Sequence, residues 1–89
     1  MLDQAWRLSP QVALRPEPFG ALAYHFQNRR LTFLRRPELV AVVRALDDNR
    51  DVRAALETVG VPTGHWPAYV SALQRLAATD MIRPRPEGA

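Results

Sequence analysis

At 89 residues the chain has room for one domain, spanning 1–89, and a domain of that size buries only about 60–65% of the surface its unfolded chain exposes. With no cysteine there is neither a disulfide framework nor a zinc-thiolate site, so stability must come from packing. Hydrophobic residues at 47% and charged residues at 24% exclude a wholly disordered chain, and no run approaches the roughly 20 apolar residues that cross a bilayer. The start, 1–9, lacks the apolar stretch of a signal segment, so the expected location is cytoplasmic, away from any membrane. The net charge is +3 and all twelve basic residues are arginine. Arginine pairs with carboxylate or phosphate through a planar fork, although all-arginine usage equally fits a GC-rich genome.

In chain order, residues 1–9 show no sustained period and read as a flexible arm, with Trp6 and Leu8 as anchors. Residues 11–15 alternate Val12 and Leu14 against Ala13 and Arg15, which predicts a strand stopped at Pro16. Residues 19–26 read as a second strand, with Leu22, Tyr24 and Phe26 on one face and Phe19, Ala21, Ala23 and His25 on the other. A polar break follows in which Asn28 is the residue suited to positive φ, and the β-prone run 31–34 completes a hairpin.

Pro37 and Glu38 suit a helix start, and Leu39, Val42, Val43 and Leu46 recur at helical spacing. Val52, Ala55, Leu56 and Val59 predict a second helix closed by Gly60. Thr63 is a candidate cap for a third helix, whose stripe of Trp66, Tyr69, Val70, Leu73, Leu76 and Ala77 faces the core. Residues 83–89 read as a tail. A three-stranded antiparallel sheet followed by three helices is an α+β, winged-helix-turn-helix-like arrangement.

Catalysis needs convergent polar groups, and the inventory is thin. His25 and His65 lack a carboxylate or histidine partner at metal-ligand spacing, Ser9 and Ser71 lack a nucleophile context, and the four glycines form no phosphate-cradling loop. The expectation is a protein without catalytic residues, metal or cofactor. The informative cluster is Arg29, Arg30, Arg35 and Arg36 around the apolar run 31–34. Charges beside an edge strand can simply block aggregation. Alternatively the strand is an open edge that accepts an extended peptide, with the arginines drawing in an acidic one. The second face of the last helix, with Ala68, Ser71, Ala72, Arg75 and Thr79, is small and smooth enough for another chain to approach, or is an ordinary solvated face. A winged-helix DNA-binding regulator is the rival reading, prompted by a pI near 10.6. Against it, the last helix carries Arg75 as its one basic residue, so no nucleic-acid partner is expected.

The stretch Val12-Ala-Leu-Arg-Pro-Glu-Pro-Phe-Gly-Ala-Leu-Ala-Tyr-His-Phe26, then Arg29-Arg-Leu-Thr-Phe-Leu34, Leu39-Val-Ala-Val-Val43 and the Ala-Tyr, Leu-Ala-Ala and Met-Ile groups within 68–82, resembles the mycofactocin-system peptide chaperone family, MftB. That family is similar to the PqqD-like RiPP recognition elements, which are winged-helix-like and not catalytic. The resemblance implies two partners. One is a ribosomally made precursor peptide, MftA, and the other a radical S-adenosylmethionine enzyme, MftC, which decarboxylates and crosslinks the peptide's C-terminal Val-Tyr. It also implies that the peptide adds as a strand beside the third strand, against the third helix. On this chain the contacts would be Leu31, Thr32, Phe33, Leu34 and Arg35 of the strand and Tyr69, Ala72, Leu73 and Arg75 of the helix, with Arg29, Arg30 and Arg36 steering. An unfilled edge would also allow a homodimer paired through the same strand.

Overall fold

The computed structural model describes residues 1–86. Strand β1 (Trp6–Leu8) lies inside the segment read as a flexible arm. It is followed by β2 (Val12–Glu17), β3 (Gly20–His25) and β4 (Leu31–Leu34), which form an antiparallel sheet in the order β2-β3-β4. Strand β2 continues through Pro16, where the sequence predicts a stop; it is an edge strand, and an edge tolerates a residue without an N–H. Along β3, Ala21, Ala23 and His25 are buried while Leu22 and Tyr24 are half-buried. The two alanines keep the inner face shallow, and a helix lies directly on it.

Gly20 opens β3 at φ +147, and a Cβ there would overlap the carbonyl oxygen of Leu34. Only glycine permits both the backbone angle and the close approach of β4. In the turn after β3 the positive φ falls on Arg29 (+62) rather than on Asn28. The Asn28 side chain instead braces the turn: its Oδ1 accepts from the Arg30 N–H at 2.9 Å and its Nδ2 donates to the Thr79 carbonyl at 3.1 Å.

Helix α1 (Pro37–Ala45) has Pro37 in its first turn with Glu38 beside it, and a short 3-10 turn, Leu46–Asp48, extends it. Val40, Val42 and Val43 are buried, and the helix packs against β3. Helix α2 (Val52–Val59) is capped by Asp51, whose carboxylate accepts from the Ala54 N–H at 2.8 Å, and ends on Gly60 in the left-handed region. Two more of its orphan N–H groups, on Val52 and Arg53, donate to the carbonyls of Gln4 and Leu2 in the N-terminal segment. Thr63, expected as a cap, makes no capping hydrogen bond; it begins a 3-10 turn, Thr63–His65, that leads into α3 (Trp66–Ala78). The Trp66 indole donates to the Val61 carbonyl at 2.8 Å and fixes that entry.

The chain closes with β5 (Ile82–Pro84), which pairs antiparallel with β1 to make a second, two-stranded sheet: Leu8 opposite Ile82, Trp6 opposite Pro84. This corrects the expectation of one sheet and of loose ends at 1–9 and 83–89. Residues 6–8 and 82–84 hold each other, the Ser9 N–H donates to the Met81 carbonyl, and the Arg85 N–H donates to that of Ala5. The rest of the expected tail, 87–89, lies outside the described residues. The architecture is thus α+β, with antiparallel sheets and three helices. One core cluster joins β3, the three helices and the Met81–Ile82 pair.

Candidate functional site

Strand β4 pairs with β3 alone, and among the described residues no strand lies on its other side. Strand β1 of the N-terminal segment is paired with β5 and does not cover that edge. In an antiparallel ladder, hydrogen-bonded and non-hydrogen-bonded pairs alternate. The His25 N–H donates to the Arg30 carbonyl, so the count places Thr32 and Leu34 in bonded pairs with Ala23 and Ala21. The N–H and C=O groups of Leu31 and Phe33 therefore point away from β3, towards the open side.

Beside that edge runs a groove between β4 and α3, in two adjoining depressions of about 570 and 280 Å³ that share Phe33, Leu39, Ala72 and Arg75. The larger is walled by Tyr69 and Ala68 of α3 and rimmed by Arg35, Arg36 and His65. The smaller is floored by Leu34 and Leu76, with Thr32 and Thr79 at its sides. Neither has a carboxylate in its lining, so the groove is apolar within and cationic at its mouth. Among the described residues, none of Arg35, Arg36 and Arg75 is in an ion pair.

The width at one end is set by a polar joint. His25 is buried in the sheet, its Nδ1 accepts from the N–H groups of Gln27 and Asn28 at 3.1 Å each, and this assigns the ring proton to Nε2, which donates to Asp80 Oδ2 at 2.7 Å. Asp80 follows α3 and also accepts from Arg83 of β5 at 2.7 and 3.1 Å. The Arg83 hydrogen bond, then that from His25, holds the Asp80 carboxyl down at about 2 and the same contact raises Arg83. The β3–β4 turn, the end of α3 and the β1–β5 sheet are thereby fastened at one point.

Of the residues singled out from sequence, Thr32, Phe33, Leu34, Arg35, Arg36, Tyr69, Ala72 and Arg75 line the groove. Leu73 does not: it is fully buried in the core, one turn along the same stripe as Tyr69, whose longer ring reaches the groove where leucine stops short. Leu31 lies outside the lining, with its side chain exposed on the opposite sheet face. Arg29 and Arg30 sit exposed in the β3–β4 turn, also outside it. Leu39 and Leu76, read as core, also line the groove; nothing in their helical spacing separates them from core positions. His65, which has no partner at metal-ligand spacing in the sequence, lines the larger depression, and among the described residues no three His, Asp or Glu gather.

An open sheet edge beside an apolar, cationic groove has the form of sites that take an extended chain, and the comparisons with known proteins give a peptide chaperone family. The Peptide chaperone MftB family matches residues 5–83, so the chain belongs to that family. It is 49% identical over 83 residues to the peptide chaperone MftB of Mycobacterium tuberculosis, covering 93% of this chain and 76% of that protein. It is 48% identical over 88 residues to the peptide chaperone MftB of Mycolicibacterium smegmatis, covering 98% and 86%. No solved structure matches. No helix is long and apolar enough to cross a membrane.

Proposed function

We propose that residues 1–89 act as one winged-helix-like recognition domain, which holds a ribosomally made precursor peptide (MftA-like) by strand addition and presents it to a radical S-adenosylmethionine maturase (MftC-like) in mycofactocin biosynthesis. The observation that carries this is the free outer edge of β4 running along the groove. The outward backbone groups of Leu31 and Phe33, continued by Arg35, supply the ladder, each hydrogen bond adding roughly 0.5–1.5 kcal/mol net. Peptide side chains buried between β4 and α3 add about 1.5–3 kcal/mol each and so dominate selectivity. Arg35, Arg36 and Arg75 favour an acidic segment and quicken its encounter. The protein contributes no reacting group; the same edge, when empty, is open to a second copy.

Titration calorimetry with the precursor peptide tests the reading. Ala72→Glu puts a carboxylate into a half-buried wall of the groove without touching the core, and affinity is expected to fall at least tenfold with the melting temperature nearly unchanged. An unaltered affinity would remove the groove from the account.

A further inference from the structure

The face of the central sheet turned away from the helices carries a second apolar surface, which shares only Phe33 with the groove. The register aligns Ala13, Tyr24 and Leu31 in one row across the three strands and Arg15, Leu22 and Phe33 in the next. Phe26 extends the β3 row and packs edge-on against Tyr24 at 5.5 Å between ring centroids, while Phe19, at the β2–β3 turn, meets Phe33 at 5.9 Å. Phe26 is 56% exposed, Leu31 55%, Phe33 52% and Phe19 36%. A sheet face left to water normally alternates to polar residues. Taking 150–250 Å² per aromatic side chain, these four groups leave on the order of 350 Å² of apolar surface, within the roughly 300–600 Å² of a monomer's largest patch, which is often functional.

The surroundings of the patch say what covers it. The Arg35 guanidinium lies over the Phe33 ring at 5.3 Å, and Arg29 and Arg30 follow Phe26 in the turn. Among the described residues none of these three is in an ion pair; Arg15 is, with Glu17 at 3.0 Å. A second copy docked on the same face about a two-fold axis would bring arginine rims together. A protein with an apolar centre ringed by carboxylates meets no such repulsion.

We infer that this outer sheet face docks the enzyme that modifies the groove-bound peptide, through an apolar, acid-rimmed surface of that enzyme. The inference rests on the proposed function for the identity of the partner. Phe33 belongs to both surfaces, its backbone on the open edge and its ring in the patch, so a docked enzyme lies directly alongside the added strand. Peptide and enzyme then occupy different sides of β4 and bind together rather than in competition.

The test uses the full chain, the precursor peptide and the purified radical enzyme. The double substitution Phe19→Ser with Phe26→Ser, and separately Phe26→Glu, alter exposed side chains outside the groove. Each is expected to leave peptide affinity within about twofold and to weaken enzyme binding at least tenfold, with Phe26→Glu the more severe because it meets carboxylates. Undiminished enzyme binding by both variants, or a wild-type chain that does not bind the enzyme, overturns the docking face. So does sedimentation showing a wild-type dimer that Phe26→Glu dissolves, or a peptide affinity that falls in parallel, since the face then belongs to a second copy or to the peptide. If the wild-type chain binds no peptide but its binding to the enzyme depends on Phe19 and Phe26, the groove reading fails and the docking face stands.

Discussion

Strand β4 and the β1–β5 pair are both built from three or four residues beside arginines, and each strand is paired on one side only, yet their surroundings differ. In the pair, Leu8 lies opposite a buried Ile82 and the ends are tied to α2 and to Met81 by backbone hydrogen bonds. In β4, Leu34 alone is buried, and the remaining apolar side chains stand more than half exposed or half-buried on a rim. Every one of these strands keeps one side unpaired, so what differs is the setting of the free side and not the completeness of the ladder. The segment with the clearest β pattern holds its free edge beside an apolar groove, and the segments with no legible pattern are anchored to α2 and to Met81.

The sharpest way to break the contrast is Gly20→Ala. The overlap with the Leu34 carbonyl and the φ of +147 both oppose a side chain, at a cost of about 2–6 kcal/mol when backbone strain and overpacking are combined. A shift of roughly 4–8 °C per kcal/mol in a domain of this size makes the loss plain in a thermal melt. The open edge should disappear with it, so peptide binding is lost as well. A variant that melts like the wild type would mean that β4 has freedom to move off β3.

Ile82→Ala attacks the terminal sheet instead. Truncating a side chain that is 1% exposed costs about 2–5 kcal/mol, and the melting temperature should fall accordingly while the surviving folded fraction binds peptide with unchanged affinity. A matched loss of affinity at low temperature would show that the two sheets are coupled more tightly than their separate pairings imply.

Proline at two adjacent positions of β4 then separates the inward and outward sides of one strand. Thr32→Pro removes an N–H bonded to β3 and should cost about 1.5–3 kcal/mol of stability. Phe33→Pro removes an outward N–H, which an edge strand tolerates; stability should change by less than about 1 kcal/mol, while peptide affinity falls at least tenfold. Reversal of the two outcomes, read by melting and calorimetry, would place the ladder one residue out of register.

Much of this was legible from residue patterns alone. Period-two alternation located β2, β3 and β4, helical spacing located α1 to α3, and arginines around an apolar run pointed to the open edge. The ends escaped because three residues cannot display a period; Trp6 to Leu8 becomes a strand only when Ile82 to Pro84 arrives from across the chain. Tyr69 and Leu73 share one stripe, so spacing alone cannot tell that one reaches the groove and the other stays inside. The inward or outward sense of Thr32 and Phe33 was equally hidden, because it is set by a turn in which Arg29, not Asn28, takes the positive φ.

The smallest expected effect tests the joint between the two compared regions. Asp80 holds His25 of the central sheet and Arg83 of the terminal sheet, and its carboxyl sits at about 2 against an ordinary 3.8. A folded-state value below the unfolded one means that the contribution is complete above 3.8 and is lost as the pH falls towards 2. Because the Asp80 side chain is 40% exposed, solvent and salt screen it and the loss is modest. Melting temperatures recorded from pH 5 to pH 2 should fall for the wild-type chain and fall less steeply for Asp80→Asn, which starts lower because the amide pairs poorly with Arg83. Parallel slopes would assign the acid sensitivity to other carboxylates and leave the charge on Asp80 without a part in joining the two sheets.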